Sequence, residues 1–263
     1  MNQFSILSAD LKRVFQEPGC PICRLRTETV RRYVRFLLAE NVNDGDARLQ
    51  IVRGLGFCPE HTWLLYHTEM SRFGDAMGNS ILYEDLVERV LAEMDAFQET
   101  VPIRAPRCKR GWQHAWAKVW TSLRLSPGSA GTLRPSGECR MCTYARHEEQ
   151  TAIHGLVQGC ADPDFRARYA ASDGLCLSHL RQALADAVAT DYETTRFLVG
   201  KAADRLRALS TDLGEYIRKQ AWQYRDEPLT DGERDAPRGA AEFFGGQEDT
   251  ESSALRSSDS GKP

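Results

Sequence analysis

A chain of 263 residues corresponds to between one and two typical domains and can bury a core without obligatory disulfide staples. Hydrophobic residues at 41% and charged residues at 27% match ordinary globular usage, which excludes a mainly disordered or fibrous chain. The net charge of −3 is uneven: residues 226–263 carry ten acids and four bases, leaving 30 bases and 27 acids before them. That small positive excess is far from the strongly basic balance of a protein that lives on nucleic-acid backbone. Polar side chains interrupt residues 1–15, and no apolar run approaches the ~18 residues that span a bilayer. The expectation is a cytoplasmic protein with neither a secretion signal nor a transmembrane segment.

In chain order, the first motif is Cys20, Pro21, Ile22, Cys23. Val30, Tyr33, Val34, Leu37 and Leu38 then follow the i, i+3, i+4, i+7, i+8 spacing of an amphipathic helix, and a turn is expected at residues 41–45. A second motif, Gly56, Phe57, Cys58, Pro59, Glu60, His61, precedes another helical stripe of Tyr83, Leu86, Val87, Val90, Leu91 and Met94. Proline and glycine punctuate residues 101–137 and bracket a stretch at 112–125 that reads as one helix. Both motifs then return, as Cys139, Arg140, Met141, Cys142 and as Gly174, Leu175, Cys176, Leu177, Ser178, His179. Leu198, Ala202, Leu206, Leu209, Leu213 and Ile217 form a last stripe, after which the chain turns acidic and rich in Ser and Gly.

The return of both motifs 118 to 119 residues later points to duplication of one unit. No stretch alternates with the period of a strand, so the expected fold is all-α, a duplicated helical unit with a pseudo-twofold relation between its halves. The expected organisation is a first CxxC/CxxH unit at 1–103, a basic Trp-containing linker at 104–137, a second unit at 138–225 and an acidic, mostly disordered tail at 226–263.

Each unit supplies three sulfurs and one imidazole, a set suited to tetrahedral zinc. The expected ligands are Cys20, Cys23, Cys58, His61, Cys139, Cys142, Cys176 and His179, with two zinc ions per chain. Cys20 before Pro21 and Cys58 before Pro59 read as helix caps with proline at the first helical position, which places the second ligand of each box one turn along the same face. Helix N-termini should lower the thiol pKa values and favour metal binding. Arg24 and Arg140 are candidates to offset the charge of three thiolates. Cys20 and Cys23 could join Cys58 and His61 within one unit, or Cys176 and His179 across units. Within-unit pairing is the simpler expectation, since an ancestral unit should have bound its own metal. Reduced thiols with a redox role, or simple packing of small apolar residues, are the alternatives to metal.

The order CPIC, GFCPEH, ILYEDL, CRMC, SDGLCLSHL and EYIRKQAWQYRDEP resembles an uncharacterised bacterial family known as a domain of unknown function, over residues 8–246. The resemblance implies the paired boxes, a helical body and a bacterial cytoplasmic setting, and brings no activity or catalytic residue. Two departures stand out: Arg140 occupies the place of Pro21, and Pro237 falls where the last helix is expected.

Trp112, Trp116 and Trp120 recur every four residues among Arg104, Arg107, Lys109, Arg110 and Lys118. That stripe suits packing onto the body, or weakly a membrane surface or single-stranded nucleic acid. Cys108 lies between two bases and could be a reactive thiol; Cys160 has no such neighbours. Glu60 beside His61 resembles the acid next to a hydrolytic zinc ligand, but four protein ligands leave no position for water. No Walker loop, dinucleotide fingerprint or nucleophile elbow is present, and no catalytic residue is assigned. The functional expectation is a zinc-stabilised binding or scaffold protein with an unidentified protein partner. Its rivals are a thiol-based redox or metal sensor and a metal-dependent enzyme.

Overall fold

The structure is a computed structural model that describes residues 3–100, 134–188 and 191–247. Among the described residues there are ten α-helices and no strand, as the all-α expectation requires: α1 Gln3–Val14, α2 Pro21–Phe36, α3 Gly45–Arg53, α4 Pro59–Phe73, α5 Met77–Thr100, α6 Arg140–Gly159, α7 Pro163–Ala171, α8 Leu177–Val188, α9 Tyr192–Lys219 and α10 Asp231–Gly245. Cys108 and the stripe expected from Trp112 to Trp120 lie outside the described residues. No described helix is long and apolar enough to cross a membrane.

Contacts divide the chain into two compact units, one of residues 1–32 and 144–263 and the other of residues 33–143. In the first, Leu11 and Phe15 at the end of α1 meet Ala152, Ile153, Leu156 and Val157 on one face of α6, with Phe165, Tyr169, Leu180, Ala183 and Leu198 closing the core. Phe15 sits edge-on to both Phe165, at 5.0 Å, and Tyr169, at 5.5 Å, the geometry that aromatic quadrupoles prefer. Lys12 ties α1 to the start of α7 through Asp164 at 2.8 Å.

Within the acidic C-terminal region, where sequence suggests no more than a helical turn near Glu242 to Phe244, residues 231–245 form α10. Its entry is fixed by a capping box in which the Thr230 hydroxyl accepts from the Glu233 amide while the Glu233 carboxylate accepts from the Thr230 amide. Pro237 lies inside this helix and removes one backbone donor, a defect of about 3 kcal/mol in isolation. Burial of Ala236 and Phe243, and the Lys219–Glu233 ion pair at 2.7 Å, hold the helix in spite of it.

In the second unit α2 passes through one turn of π-helix at Leu37–Asn41 before α3, whose cap Asp44 accepts from the Ala47 amide at 2.7 Å. Val34, Leu37, Ile51, Phe57, Leu64, Leu65, Leu82, Leu86 and Met141 are buried. Glu69, itself buried, accepts from the amides of Gly78 and Asn79 at 2.6 and 2.9 Å and so caps the start of α5 from α4. The stripe read from sequence on α5 is only half core: Val87, Leu91 and Met94 are exposed.

Candidate metal centres

All four boxes share one local construction. α2, α4, α6 and α8 begin immediately after Cys20, Cys58, Cys139 and Cys176, so the first cysteine of every box stands at a helix entry. In each case its carbonyl accepts the first helical hydrogen bond, from Arg24, Thr62, Thr143 and Leu180 respectively. Arg140 in the place of proline leaves this unchanged, since an ordinary residue also serves at the first helical position. The glycines of the two longer boxes have a definite task. Gly56 and Gly174, each two residues before its cysteine, hold φ of 92° and 74°, where a Cβ is strained. The following Phe57 and Leu175 are buried and anchor the turn.

The eight residues converge into two sets, and the pairing corrects the simpler expectation. Cys20 and Cys23 meet Cys176 and His179; Cys58 and His61 meet Cys139 and Cys142. Each set therefore draws one CxxC from one repeat and one CxxH from the other, and each lies within one compact unit. In the first centre His179 Nδ1 stands 3.4 Å from the sulfurs of Cys20 and Cys23 and 3.1 Å from that of Cys176, with Cys23 and Cys176 sulfurs 3.8 Å apart. In the second, His61 Nδ1 stands 3.2, 3.5 and 3.3 Å from Cys58, Cys139 and Cys142, and the Cys58 and Cys142 sulfurs are 3.6 Å apart.

These separations discriminate between chemistries. A disulfide requires sulfurs at about 2.05 Å, which neither pair approaches. An ion about 2.3 Å from each sulfur and about 2.0 Å from the nitrogen of a regular tetrahedron sets edges of about 3.8 Å between sulfurs and about 3.5 Å from sulfur to nitrogen. The four edges given above for each set match these figures within about 0.4 Å, and all four ligand atoms of each set lie within 4.8 Å of one another. Both sets fit a tetrahedral ion with all positions filled by protein.

Without an ion, the crowding leaves the thiols in opposed states. Burial pushes Cys20 well above the usual thiol range, reinforced by hydrogen bonds with Cys176 and Cys23. Hydrogen bonds with Cys20 and Cys23 pull Cys176 far below it. Burial opposes ionisation of His179, yet its contacts with Cys176, Cys23 and Glu149 outweigh that and raise it to about 11. In the second centre burial also works against Cys139, but hydrogen bonding to His61 brings it down to about 6, while burial and Cys58 push Cys142 up to about 12. At Cys139 and Cys176 the lowering comes chiefly from hydrogen bonds with neighbouring side chains, His61 for the one and Cys20 and Cys23 for the other. At Cys20 and Cys142, desolvation and neighbouring sulfurs override the helix dipole.

The residues around the first centre include two that the sequence did not single out for this role. His179 Nε2 lies 3.0 Å from Glu149, which also accepts from Gln182 at 2.9 Å and lies 3.5 Å from Arg26. A carboxylate on the far nitrogen fixes the imidazole tautomer so that Nδ1 presents its lone pair to an ion. The Gln247 amide points at the Cys23 sulfur at 3.5 Å, delivered by Gly246 at φ 83° just beyond α10. Neither partner has a local signal: Glu149 is a helix and a loop away from His179, and Gln247 follows Cys23 by 224 residues. Arg24 and Arg140, the candidates to offset thiolate charge, each have a partner elsewhere. Arg24 pairs with Glu17 at 2.9 Å, and Arg140 donates to the Tyr33 hydroxyl and lies over its ring. Glu60 is exposed, and Cys160 is buried in the first unit's core with its thiol pushed up to about 11.

The model of the Family of unknown function (DUF6062) matches residues 5–251, and the chain belongs to that family. No curated protein and no solved structure matches it.

Proposed function

We propose that this DUF6062 chain is a helical binding or scaffold protein clasped by two zinc ions, one in each Cys3His set. The observation that carries the reading is the clustering of two separate groups, each of three sulfurs and one imidazole nitrogen within 4.8 Å of one another. Zinc suits such sets because it takes mixed sulfur and nitrogen ligands without redox chemistry or a geometric preference of its own. Cys20, Cys23, Cys176 and His179 would hold one ion, and Cys58, His61, Cys139 and Cys142 the other. Four protein ligands leave no place for an activated water, which favours a structural role over hydrolysis.

Bound zinc would supply cross-links between helix entries that are distant in sequence, with a binding free energy of roughly 10–16 kcal/mol per site in comparable small domains. That rivals the whole stability of an ordinary domain, about 5–15 kcal/mol. Free thiols in such number suit a reducing compartment, so the cytoplasm is the proposed setting. Reconstituted protein should carry two zinc per chain, and a strong chelator should remove much of its helical circular dichroism and lower its melting temperature. A protein that takes up no zinc, or one whose helicity and melting are indifferent to zinc, overturns the reading.

A further inference from the structure

We infer that the two centres are unequal: the Cys20, Cys23, Cys176, His179 set is a permanent fastening, and the Cys58, His61, Cys139, Cys142 set is an oxidation site for a peroxide-class oxidant. This rests on the zinc reading above and assigns separate roles to the two sets. Three features of different kind separate them. The first is access. Cys20, Cys176 and His179 are buried and only Cys23 is half-buried, whereas Cys58, Cys139 and Cys142 are all half-buried around a buried His61. An oxidant must reach sulfur to react, and exposure governs that encounter.

The second is the protein around the sulfurs. The one half-buried thiol of the first set, Cys23, receives the Gln247 amide at 3.5 Å, and a Cβ placed on Gly246 would lie 3.4 Å from the same sulfur. The end of α10 therefore covers that sulfur and donates to it, which shields it and draws off its electron density. The third is the imidazole. His179 is locked by Glu149 at 3.0 Å, and Glu149 by Gln182, while among the described residues no acid takes the far nitrogen of His61. Outer partners of this sort change metal affinity by roughly 10–100-fold. The second set has the more accessible sulfurs and the less supported imidazole.

The chemistry follows from the 3.6 Å between the Cys58 and Cys142 sulfurs. Taking Cys58 as the sulfur attacked, its thiolate displaces hydroxide from hydrogen peroxide: the O–O bond breaks and an S–O bond forms, giving a sulfenic acid. The Cys142 thiolate then attacks that sulfur, forming the S–S bond and releasing a second hydroxide. Two electrons leave the pair of sulfurs, peroxide is reduced, and two protons from solvent convert both hydroxides to water. Cys139 and His61 alone then remain as ligands, too few to retain zinc, so the ion departs.

The test uses the full chain loaded with zinc and treated with hydrogen peroxide, with released zinc read by a chromogenic indicator and thiols mapped by alkylation and peptide mass spectrometry. One equivalent of zinc should leave faster than the other by about tenfold or more. A Cys58–Cys142 disulfide should appear while Cys20, Cys23 and Cys176 stay protected from alkylation. Release of both equivalents together, earlier loss from the Cys20 set, or departure of zinc with a different disulfide overturns the inference and leaves the zinc reading standing. Protein that holds no zinc before peroxide is added overturns both.

Discussion

Replacing Glu149 by alanine isolates the support that one residue gives to a candidate metal ligand without touching the ligand itself. His179 and Glu149 have side-chain exposures of 5% and 12% and lie 3.0 Å apart, so the pair is shielded from the solvent screening that makes surface pairs nearly neutral. Removing the carboxylate leaves the far N–H of a buried imidazole without its acceptor, a penalty of about 1–3 kcal/mol. Every 1.4 kcal/mol is a factor of ten, so zinc affinity at this centre should fall by roughly 10–100-fold. Glutamine at the same position can still accept through its amide oxygen and should recover part of the loss. Equilibrium competition with a chelator of known affinity reads both variants, and the second centre serves as an internal reference that should not move. An alanine variant whose two sites both bind within about twofold of the parent would refute the claim that Glu149 orients His179.

Four other outcomes follow from the packing. Phe165 is fully buried against Phe15, so Phe165→Ala should lower stability in urea by about 3–5 kcal/mol; a loss below about 1 kcal/mol would contradict the core as described. Thr230→Ala removes half of the capping box and should weaken α10 by about 1 kcal/mol, seen as faster amide exchange confined to that helix. The Lys219 ammonium and the Thr230 amide hold the Glu233 carboxylate below its usual range. A group with a depressed pKa stabilises the fold above the ordinary carboxylate range, about 4, and loses that contribution as pH falls through the folded value. Acidification should therefore loosen α10, and Glu233→Gln should flatten that acid dependence. Cys160, buried and with its thiol raised to about 11, should resist alkylation at neutral pH until the chain unfolds.

The candidate ligands were legible because their signal is local: two cysteines, or a cysteine and a histidine, three positions apart at a helix entry. Their partnership was not. Cys23 and Cys176 are separated by 153 positions and His61 and Cys139 by 78, and nothing in either box states which distant box it faces. Duplication made within-repeat pairing the economical guess, yet the entropy of closing a loop grows only with the logarithm of its length. Closing about 150 residues instead of about 35 adds only about 1 kcal/mol, which a core can readily offset. The helical stripes were legible for the same local reason, but periodicity does not say whether a face is covered. Leu82 and Leu86 of α5 are buried while Val87, Leu91 and Met94 are not. Composition does not reveal α10. An acidic segment with an internal proline reads as disorder, whereas Phe243 and the Lys219–Glu233 pair depend on what α9 offers in three dimensions.

The central claim is that each zinc would be gripped by one box from each repeat, and substitution of Cys20 and Cys23 together by serine tests it most directly. Zinc content should fall from two equivalents per chain to one, and alkylation should newly label Cys176 while Cys58, Cys139 and Cys142 remain protected. New labelling of Cys58 with Cys176 still protected would show that the pairing runs within the repeats, and retention of both zinc equivalents would show that Cys20 and Cys23 hold no metal.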